Sequence, residues 1–353
     1  MKPRIVPALL AMGGACVAVG VIAGAFSAAG ALAAPQFKER GAAPAAELPT
    51  HGYSILKPVP GSDIPMELTF VFTHDEIYTP VVIRRPKGSG PFPAILMSRG
   101  EGRGGMPRAI SQSEDLSGMV ERMVARGYVV AFAEIRNEVP YLYWKQKRSE
   151  NLADSISGGN RTLKSESSLD SDDYVAIIQY LQAQPYVDRD AVGATGVSHS
   201  GELILKAAAE VDFACGVPIE GAAHEFLQVT TDLTAPREGT EIQFQDIAVV
   251  KKFANKARAM ERIKKIKTPM LLLGRDQDHQ QGVFQLTYEW MKEAGKDVTW
   301  ATFDHPVHGY PFAYKGKDGS FKPDAIQQKA FDTIMAYFDK HLKHSHPARG
   351  TPK

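Results

Sequence analysis

The sequence has little cysteine and almost no net charge. Among 353 residues there are two cysteines, and 41 Lys and Arg residues are balanced by 40 Asp and Glu residues, for a net charge of +1 at pH 7. So little cysteine excludes a disulfide scaffold, and an apolar core must therefore hold the fold together. The balanced charge gives no general attraction for nucleic acid or anionic lipid, so we expect no nucleic-acid partner. An apolar share of 44% is ordinary for a globular protein and argues against disorder or many membrane spans.

The first part of the chain has the pattern of an export signal. After the basic head Met1–Arg4 comes an uncharged run rich in Ala, Gly and Val, ending in the small-x-small sequence Ala31–Ala33. We expect residues 1–33 to be a signal peptide, and the protein to be periplasmic or extracellular. Residues 34–50 are expected to be a flexible leader. The apolar run is longer than a usual signal core, so an uncleaved membrane anchor is the alternative, and only that alternative implies a stable membrane partner.

Residues 51–345 alternate between short apolar runs and helical patterns, which is typical of an α/β domain. The last runs are continuously apolar, as strands buried on both faces are, and the first two are predicted to pair antiparallel across a short turn. Repeated strand–helix–strand units predict a mostly parallel, eight-stranded sheet with helices on both faces. The predicted strands lie at residues 66–72, 78–84, 92–98, 128–134, 191–197, 213–219, 269–274 and 298–303.

Two segments interrupt this alternation. Residues 139–168 are polar and irregular, and residues 220–267 are mostly helical. Both are long enough to be insertions that form a small cap over one face of a site. We predict that they wall a substrate pocket, and residues 346–353 are expected to be a tail. The predicted apolar lining consists of Tyr141, Tyr143, Trp144, Phe226 and Leu227.

The strongest chemical signal is a serine between an apolar strand and a helical pattern. The strand runs into Gly196-Val197-Ser198-His199-Ser200-Gly201. The small residues allow a sharp turn and a close approach of strand and helix, which would expose the Ser198 hydroxyl at the helix N-terminus. Ser198 is therefore a candidate nucleophile, although Ser200 replaces the second glycine of the usual Gly-x-Ser-x-Gly pattern.

A serine hydroxyl becomes an effective nucleophile only when a base takes its proton, and that base must be oriented. Two aspartates, Asp276 and Asp278, follow the strand at residues 269–274. Two histidines, His305 and His308, follow the last strand. His308 is the preferred base because the glycine and aromatic residue after it predict a tight turn that presents the imidazole.

Acyl transfer also requires backbone N–H donors for the developing oxyanion. One donor is predicted to be the amide of His199, which follows the candidate nucleophile. The other is expected from the glycine-rich loop after the strand at residues 92–98. Gly100 and Glu101 are the preferred positions in that loop.

Together these segments resemble the α/β-hydrolase superfamily, and most closely its prolyl oligopeptidase-type catalytic domains and dienelactone hydrolase-like esterases. The resemblance implies the chain order nucleophile, acid, histidine, and thus a triad of Ser198, Asp278 and His308. The Leu-Leu-Leu-x-x-Asp-x-Asp form of the prolyl oligopeptidase-like domains favours Asp278 over Asp276, which remains the alternative acid. Dienelactone hydrolases proper have cysteine where this chain has Ser198.

These residues predict an exported serine hydrolase that cleaves an ester through an acyl-enzyme. Its partner is expected to be a small-molecule ester or a short peptide, and no metal or organic cofactor is expected. The first alternative is an exopeptidase of the prolyl oligopeptidase type, which needs a group that grips the peptide N-terminus, and the sequence identifies none. The second alternative is a non-catalytic binding protein with the same fold.

Overall fold

The eight apolar runs and one further strand form a nine-stranded sheet among the residues that the computed structural model describes. The structure describes residues 54–73, 78–100, 105–133, 169–229, 245–312 and 322–343. These residues all belong to the compact unit Glu47–Lys353. The signal peptide, the leader, the first insertion and the tail predicted above lie outside the described residues.

Every predicted strand is confirmed, and one strand was missed. The strands are β1 Ser54–Val59, β2 Ser62–Phe72, β3 Tyr78–Arg84, β4 Phe92–Arg99, β5 Val129–Ala133, β6 Val187–Val197, β7 Cys215–Ile219, β8 Met270–Arg275 and β9 Val298–Phe303. The described helices are α1 Gly105–Asp115, α2 Ser117–Ala125, α3 Leu169–Ala183, α4 His199–Ala208, α5 Ile247–Phe253, α6 Lys256–Lys265, α7 Gln281–Glu293 and α8 Ala325–Leu342.

The prediction of eight strands is corrected by β1, which lies at the edge of the sheet. Among the strands that the structure describes, β1 pairs only with β2. Its side chains Ile55 and Leu56 are 44% and 65% exposed. Because an edge strand with one neighbour needs no continuous apolar run, the sequence pattern gave no signal for it.

The strand order is β1-β2-β3-β5-β4-β6-β7-β8-β9. The pairings from β1 to β5 are antiparallel, which confirms the predicted β2–β3 pair. The pairings from β5 through β9 are parallel. In a parallel sheet the carboxyl ends of the strands meet at one edge, so the segments that follow β4, β6, β7, β8 and β9 lie near one another.

Helices cover both faces of the sheet, as predicted. On one face α3, α4, α6 and α7 pack against the sheet, with Tyr174, Leu203, Ile263 and Leu286 fully or almost fully buried. On the other face α1, α2 and α8 supply buried side chains that include Ala109, Val120 and Phe338. The free Cys215 is buried in β7.

The helices of the second predicted insertion join the first of these layers. Val250 of α5 and Ala259 and Ile263 of α6 are buried in the same cluster as α7. Arg258 and Lys264 of α6 face solvent, whereas Arg262 is half-buried and donates a hydrogen bond to the Glu225 carbonyl at 2.7 Å. In the part of the chain that the structure describes, no helix has the length and apolar character of a membrane span.

The packing of α8 on β6 predicts a large effect of truncating Phe338. Its ring is fully buried and packs directly on the backbone of Gly193, where an added Cβ would lie 2.9 Å from the ring. Because Gly193 has no side chain, it cannot fill the space that the ring would leave. Phe338→Ala should lower the free energy of unfolding by about 3–5 kcal/mol, measured by urea denaturation. Lys340→Ala, on the exposed side of the same helix, should change it by less than about 0.5 kcal/mol, and equal losses would contradict this packing.

Candidate active site

The site lies where the parallel strands end. The chain leaves β4 toward β5 on one side and reaches β6 on the other, so the strand order reverses between β4 and β6. In open α/β sheets this reversal opens a crevice at the carboxyl ends of the strands, where ligands bind. Ser198 follows β6 directly and is therefore placed at that crevice.

The backbone at Ser198 has the strained geometry of a nucleophile turn. Its φ of 57° and ψ of −122° are rare for a residue with a side chain, and α4 begins at the next residue. A Cβ at Gly196 would lie 2.8 Å from the Ser200 Cβ, and one at Gly201 would lie 3.1 Å from the Gly221 Cα. Only small residues fit at these positions, in agreement with the close approach predicted from the sequence.

Ser200, the departure from the usual glycine, links this turn to the loop after β4. Its hydroxyl donates a hydrogen bond to the Gly100 carbonyl oxygen at 2.8 Å and lies 3.0 Å from Ser98 Oγ. The backbone N–H of His199 is at the free N-terminus of α4, where donors point outward. Of the two loop positions predicted for the second oxyanion donor, Gly100 adopts φ 55°, and Glu101 lies outside the described residues.

The structure brings Asp278 and His308 together. The Nδ1 of His308 is 2.8 Å from Asp278 Oδ2 and forms a hydrogen bond with it. Asp276 instead accepts a hydrogen bond from the Thr302 hydroxyl at 2.7 Å, which gives it a structural role at the end of β9. The geometry therefore favours Asp278 over Asp276 as the acid.

His305, the other histidine of this loop, is directed away from Asp278. Its Nε2 lies 3.0 Å from Asp324 Oδ2, and its ring stacks on Tyr310 with 5.0 Å between the ring centroids. His308 is held close to the nucleophile turn by the glycine that follows it. A Cβ at Gly309 would lie 3.3 Å from Val197 Cγ1, and Val197 precedes Ser198.

Asp278 is almost completely buried, and cationic and neutral donors compensate for that burial. Arg275 Nη2 lies 2.6 Å from Asp278 Oδ2, and the Gln280 N–H donates to Oδ1 at 2.8 Å. Burial raises the pKa of Asp278, but hydrogen bonds from His279 and His308 outweigh burial and hold that pKa far below its usual range. The carboxylate therefore remains charged at neutral pH.

Sequence reasoning missed a second carboxyl group at the same histidine. Glu220 Oε2 lies 2.6 Å from His308 Nδ1 and accepts a hydrogen bond from the Gly309 N–H at 2.7 Å. Glu220 follows β7, has φ 45° and is buried. The one signal in the sequence is a charged residue directly after a fully apolar strand, between the nucleophile strand and the acid strand.

The two carboxyl groups change the acidity of the imidazole. Burial lowers the pKa of His308, but the hydrogen bonds to Asp278 and Glu220 and their charges outweigh it and raise the pKa to about 9. The ring nevertheless keeps 31% of its side-chain surface exposed. One edge of the imidazole is thus fixed by buried acids while the ring remains accessible.

A buried glutamate fixes the helix that carries the nucleophile turn. Glu202 Oε1 accepts hydrogen bonds from the N–H groups of Glu225 and Phe226, at 2.7 and 2.8 Å. Burial raises the pKa of Glu202, but the charge of Lys206 and contacts with two histidines outweigh it and hold that pKa well below its usual range. This carboxylate joins α4 to the segment after β7.

Two residues of the segment after β7 do not line a pocket as predicted. Phe226 and Leu227 are both 0% exposed and pack in the core cluster with α4 and α6. Their apolar character therefore stabilises the fold instead of lining an open pocket. Tyr141, Tyr143 and Trp144 lie outside the described residues.

One group of side chains at the site has the geometry to hold a metal ion. Ligand atoms of Asp278, His279 and His308 lie within 4.8 Å of one another. These groups already contact one another, since His279 Nδ1 is 3.5 Å from Asp278 Oδ1. The guanidinium of Arg275 at Asp278 opposes a second cation there, so the arrangement fits an acid–histidine pair better than a metal site.

Solved structures with the same fold include both peptidases and esterases. The Pyrococcus horikoshii acylaminoacyl peptidase is 19% identical with a TM-score of 0.52, over 82% of this chain and 43% of that one. A putative dienelactone hydrolase from Klebsiella pneumoniae is 13% identical with a TM-score of 0.53, over 79% of this chain and 100% of that one. The esterase Est22 is 14% identical with a TM-score of 0.52, over 81% of this chain and 83% of that one.

The sheet, the nucleophile turn and the acid–histidine pair define the class of α/β-hydrolase-fold serine hydrolases. Within that class, the profile of the prolyl oligopeptidase family matches residues 115–345, well over half of the sequence. The chain belongs to the prolyl oligopeptidase family. It spans less than half the length of the acylaminoacyl peptidase. A search of curated protein sequences gives no significant match.

The environment of His308 predicts how its imidazole titrates. An NMR titration of the folded protein should give a midpoint near 9 for His308. Because this exceeds the usual value of about 6.5, protonation favours the folded state. That contribution is fully present below about pH 6.5 and is lost as the pH rises through about 9. A midpoint at or below 6.5 would contradict the geometry described here.

Proposed function

We propose that this protein is an exported serine hydrolase that cleaves carboxylic esters through a covalent acyl-enzyme. The observation that carries the proposal is the strained turn at Ser198 together with the hydrogen-bonded pair of Asp278 and His308, whose loop approaches that turn between Gly309 and Val197. A serine at such a turn with an oriented imidazole beside it is the arrangement that activates a hydroxyl for acyl transfer.

In the first half-reaction His308 takes the proton of Ser198 while the serine oxygen attacks the ester carbonyl. His308 acts as base in its neutral form, whose fraction grows as the pH rises toward about 9, so the rate should increase toward alkaline pH. In that form the bond between Nδ1–H and Asp278 leaves the other ring nitrogen, Nε2, free to accept the proton. The negative charge of Asp278 stabilises the imidazolium that forms. The imidazolium then donates its proton to the leaving alcohol, and the acyl group remains on the serine.

The oxyanion of the tetrahedral intermediate is stabilised by backbone donors. The His199 N–H at the start of α4 is one donor, and the dipole of that helix adds to its effect. The other donor is assigned to the loop that begins at Gly100, whose carbonyl is fixed by Ser200. Water then attacks the acyl-enzyme with His308 as base, and the carboxylic acid leaves.

Structural coverage supports ester hydrolysis over peptide hydrolysis. The dienelactone hydrolase and Est22 are matched over most or all of their length, whereas the acylaminoacyl peptidase is matched over 43% of its length. We therefore propose a small ester as the substrate. The proposed chemistry requires no metal or organic cofactor.

An exopeptidase is the second candidate, and the family match favours it. The profile that matches residues 115–345 is named for a peptidase family. Hydrolysis of an amide uses the same nucleophile and base, but proton donation to the leaving amine is a stricter requirement.

A direct comparison of substrates decides between ester and amide hydrolysis. The purified protein is assayed with p-nitrophenyl esters of increasing acyl length and with aminoacyl and N-acylaminoacyl p-nitroanilides. Higher kcat/KM for the esters supports our proposal, and higher kcat/KM for the anilides contradicts it.

Export is the remaining part of the proposal. It is supported by the basic head and the uncharged run within residues 1–33 and by the small-x-small sequence at their end. N-terminal sequencing of protein recovered outside the cytoplasm tests it. An N-terminus at residue 34 supports cleavage, and retention of residue 1 in a membrane fraction supports the anchor instead.

Removing the nucleophile should abolish turnover without disturbing the fold. Ser198→Ala should lower kcat by roughly three or more orders of magnitude, because no other hydroxyl replaces the attacking oxygen. The matched control is Ser54→Ala, an exposed serine in β1, which should keep the wild-type kcat. Circular dichroism checks that both variants are folded, and a folded Ser198→Ala protein with normal kcat would mean that the nucleophile is elsewhere.

The two aspartates after β8 should differ strongly. Asp278→Asn removes one of the two carboxylate charges at His308 Nδ1, whereas Asp276→Asn alters the bond with Thr302. Loss of a triad acid that no other residue replaces lowers kcat by on the order of ten-thousandfold. We expect Asp278→Asn to lower kcat by at most this factor at neutral pH. Asp276→Asn should change stability more than kcat. The assignment is wrong if Asp276→Asn is the more severe variant in steady-state kinetics.

A further inference from the structure

We propose that Glu220 is a second positioning carboxylate for His308, acting on the same ring nitrogen as Asp278. This inference rests on the proposed function, because it assumes that His308 is the base. In the triad one acid orients the imidazole and stabilises its charged form. We assign this role to two acids, which follow two different strands.

The geometry at Nδ1 carries the proposal. Glu220 Oε2 is 2.6 Å from His308 Nδ1, and Asp278 Oδ2 is 2.8 Å from it. A single Nδ1–H is thus flanked by two carboxyl oxygens within hydrogen-bonding distance. Both acids are almost completely buried, so solvent does not screen their effect on the ring.

Glu220 also fixes the backbone of the loop that carries the histidine. Its Oε2 accepts the Gly309 N–H at 2.7 Å, and its own N–H donates to the Leu273 carbonyl at 2.8 Å. The N–H of Ser198 donates to the carbonyl of Ile219, the residue before Glu220, at 2.9 Å. The end of β7 therefore connects the nucleophile turn, the acid strand and the histidine loop.

Two buried acids at one site repel each other unless a cation lies between them. Arg275 supplies that cation, with its Nη2 2.6 Å from Asp278 Oδ2 and its Nε 3.8 Å from Glu220 Oε2. A further titratable group close to the ring is His279, whose ring centroid lies 4.9 Å from that of His308. Among the described residues, Glu220 Oε1 has no hydrogen-bond partner, so the bonds of this side chain are concentrated on the histidine side.

These contacts make a prediction that a purely structural role does not make. An acid within about 4–6 Å raises the pKa of a histidine by roughly one unit or more. Glu220→Gln removes the charge, while the amide oxygen can still accept the Gly309 N–H. The acid limb of the kcat/KM profile should therefore move to lower pH by about one unit or more. The kcat on the plateau should fall roughly tenfold per unit of that shift, because the same imidazolium forms in the transition state.

A readout without turnover separates this inference from the proposed function. The His308 midpoint is measured by NMR in wild type, Glu220→Gln, Asp278→Asn and the double variant. Each single variant should have a lower midpoint than wild type, and the double variant should have the lowest. An unchanged midpoint in Glu220→Gln overturns the inference. If the midpoint shifts but the wild type hydrolyses neither esters nor amides, the proposed function fails and the assignment of Glu220 stands.

Two further variants serve as control and safeguard. Asp324→Asn removes a carboxylate from His305 in the same loop and should leave the His308 midpoint where it is. If Glu220→Gln does not fold, Glu220→Asp is used. This variant keeps the charge, but its side chain is one methylene group shorter, so the carboxylate lies farther from His308. A smaller shift in the same direction supports the inference, and an unchanged midpoint with normal kcat contradicts it.

Discussion

The rest of the site depends on one buried electrostatic arrangement at the end of the sheet. His308 Nδ1 lies between the carboxyl groups of Asp278 and Glu220, and Arg275 neutralises part of their charge. Glu220 follows β7, Arg275 and Asp278 lie at the end of β8 and in the turn after it, and His308 follows β9. The arrangement therefore exists only when β7, β8 and β9 are in register, so the fold and the chemistry cannot be separated here.

Close packing at the same edge of the sheet explains the small residues around the nucleophile. Ser198 reaches the crevice because the chain turns from β6 into α4 with no room for a Cβ at Gly196 or Gly201. Ser200 is tolerated in place of glycine because its hydroxyl binds the Gly100 carbonyl, an interaction that a glycine cannot make. This departure from the common pattern thus connects the nucleophile turn to the loop expected to complete the oxyanion site.

Much of this could be predicted from the sequence because buried parallel strands leave a strong apolar signal. The strand ends then place Ser198, Asp278 and His308 on one edge. Glu220 could not be found in this way, because a charged residue after an apolar strand looks like any turn residue, and its role depends on a contact across 88 positions of sequence to His308. Phe226 and Leu227 were wrongly assigned to a pocket, since apolar residues in a helical insertion give the same pattern whether they face a ligand or the core.

The central claim is that Ser198 is an activated nucleophile, and covalent trapping tests it most directly. The folded protein is treated with a fluorophosphonate, digested and analysed by mass spectrometry, with denatured protein as the control. We expect one phosphonyl group per chain, on the peptide that contains Ser198, and none after denaturation. No adduct on the folded protein, or an adduct on another residue with Ser198 unmodified, would contradict it.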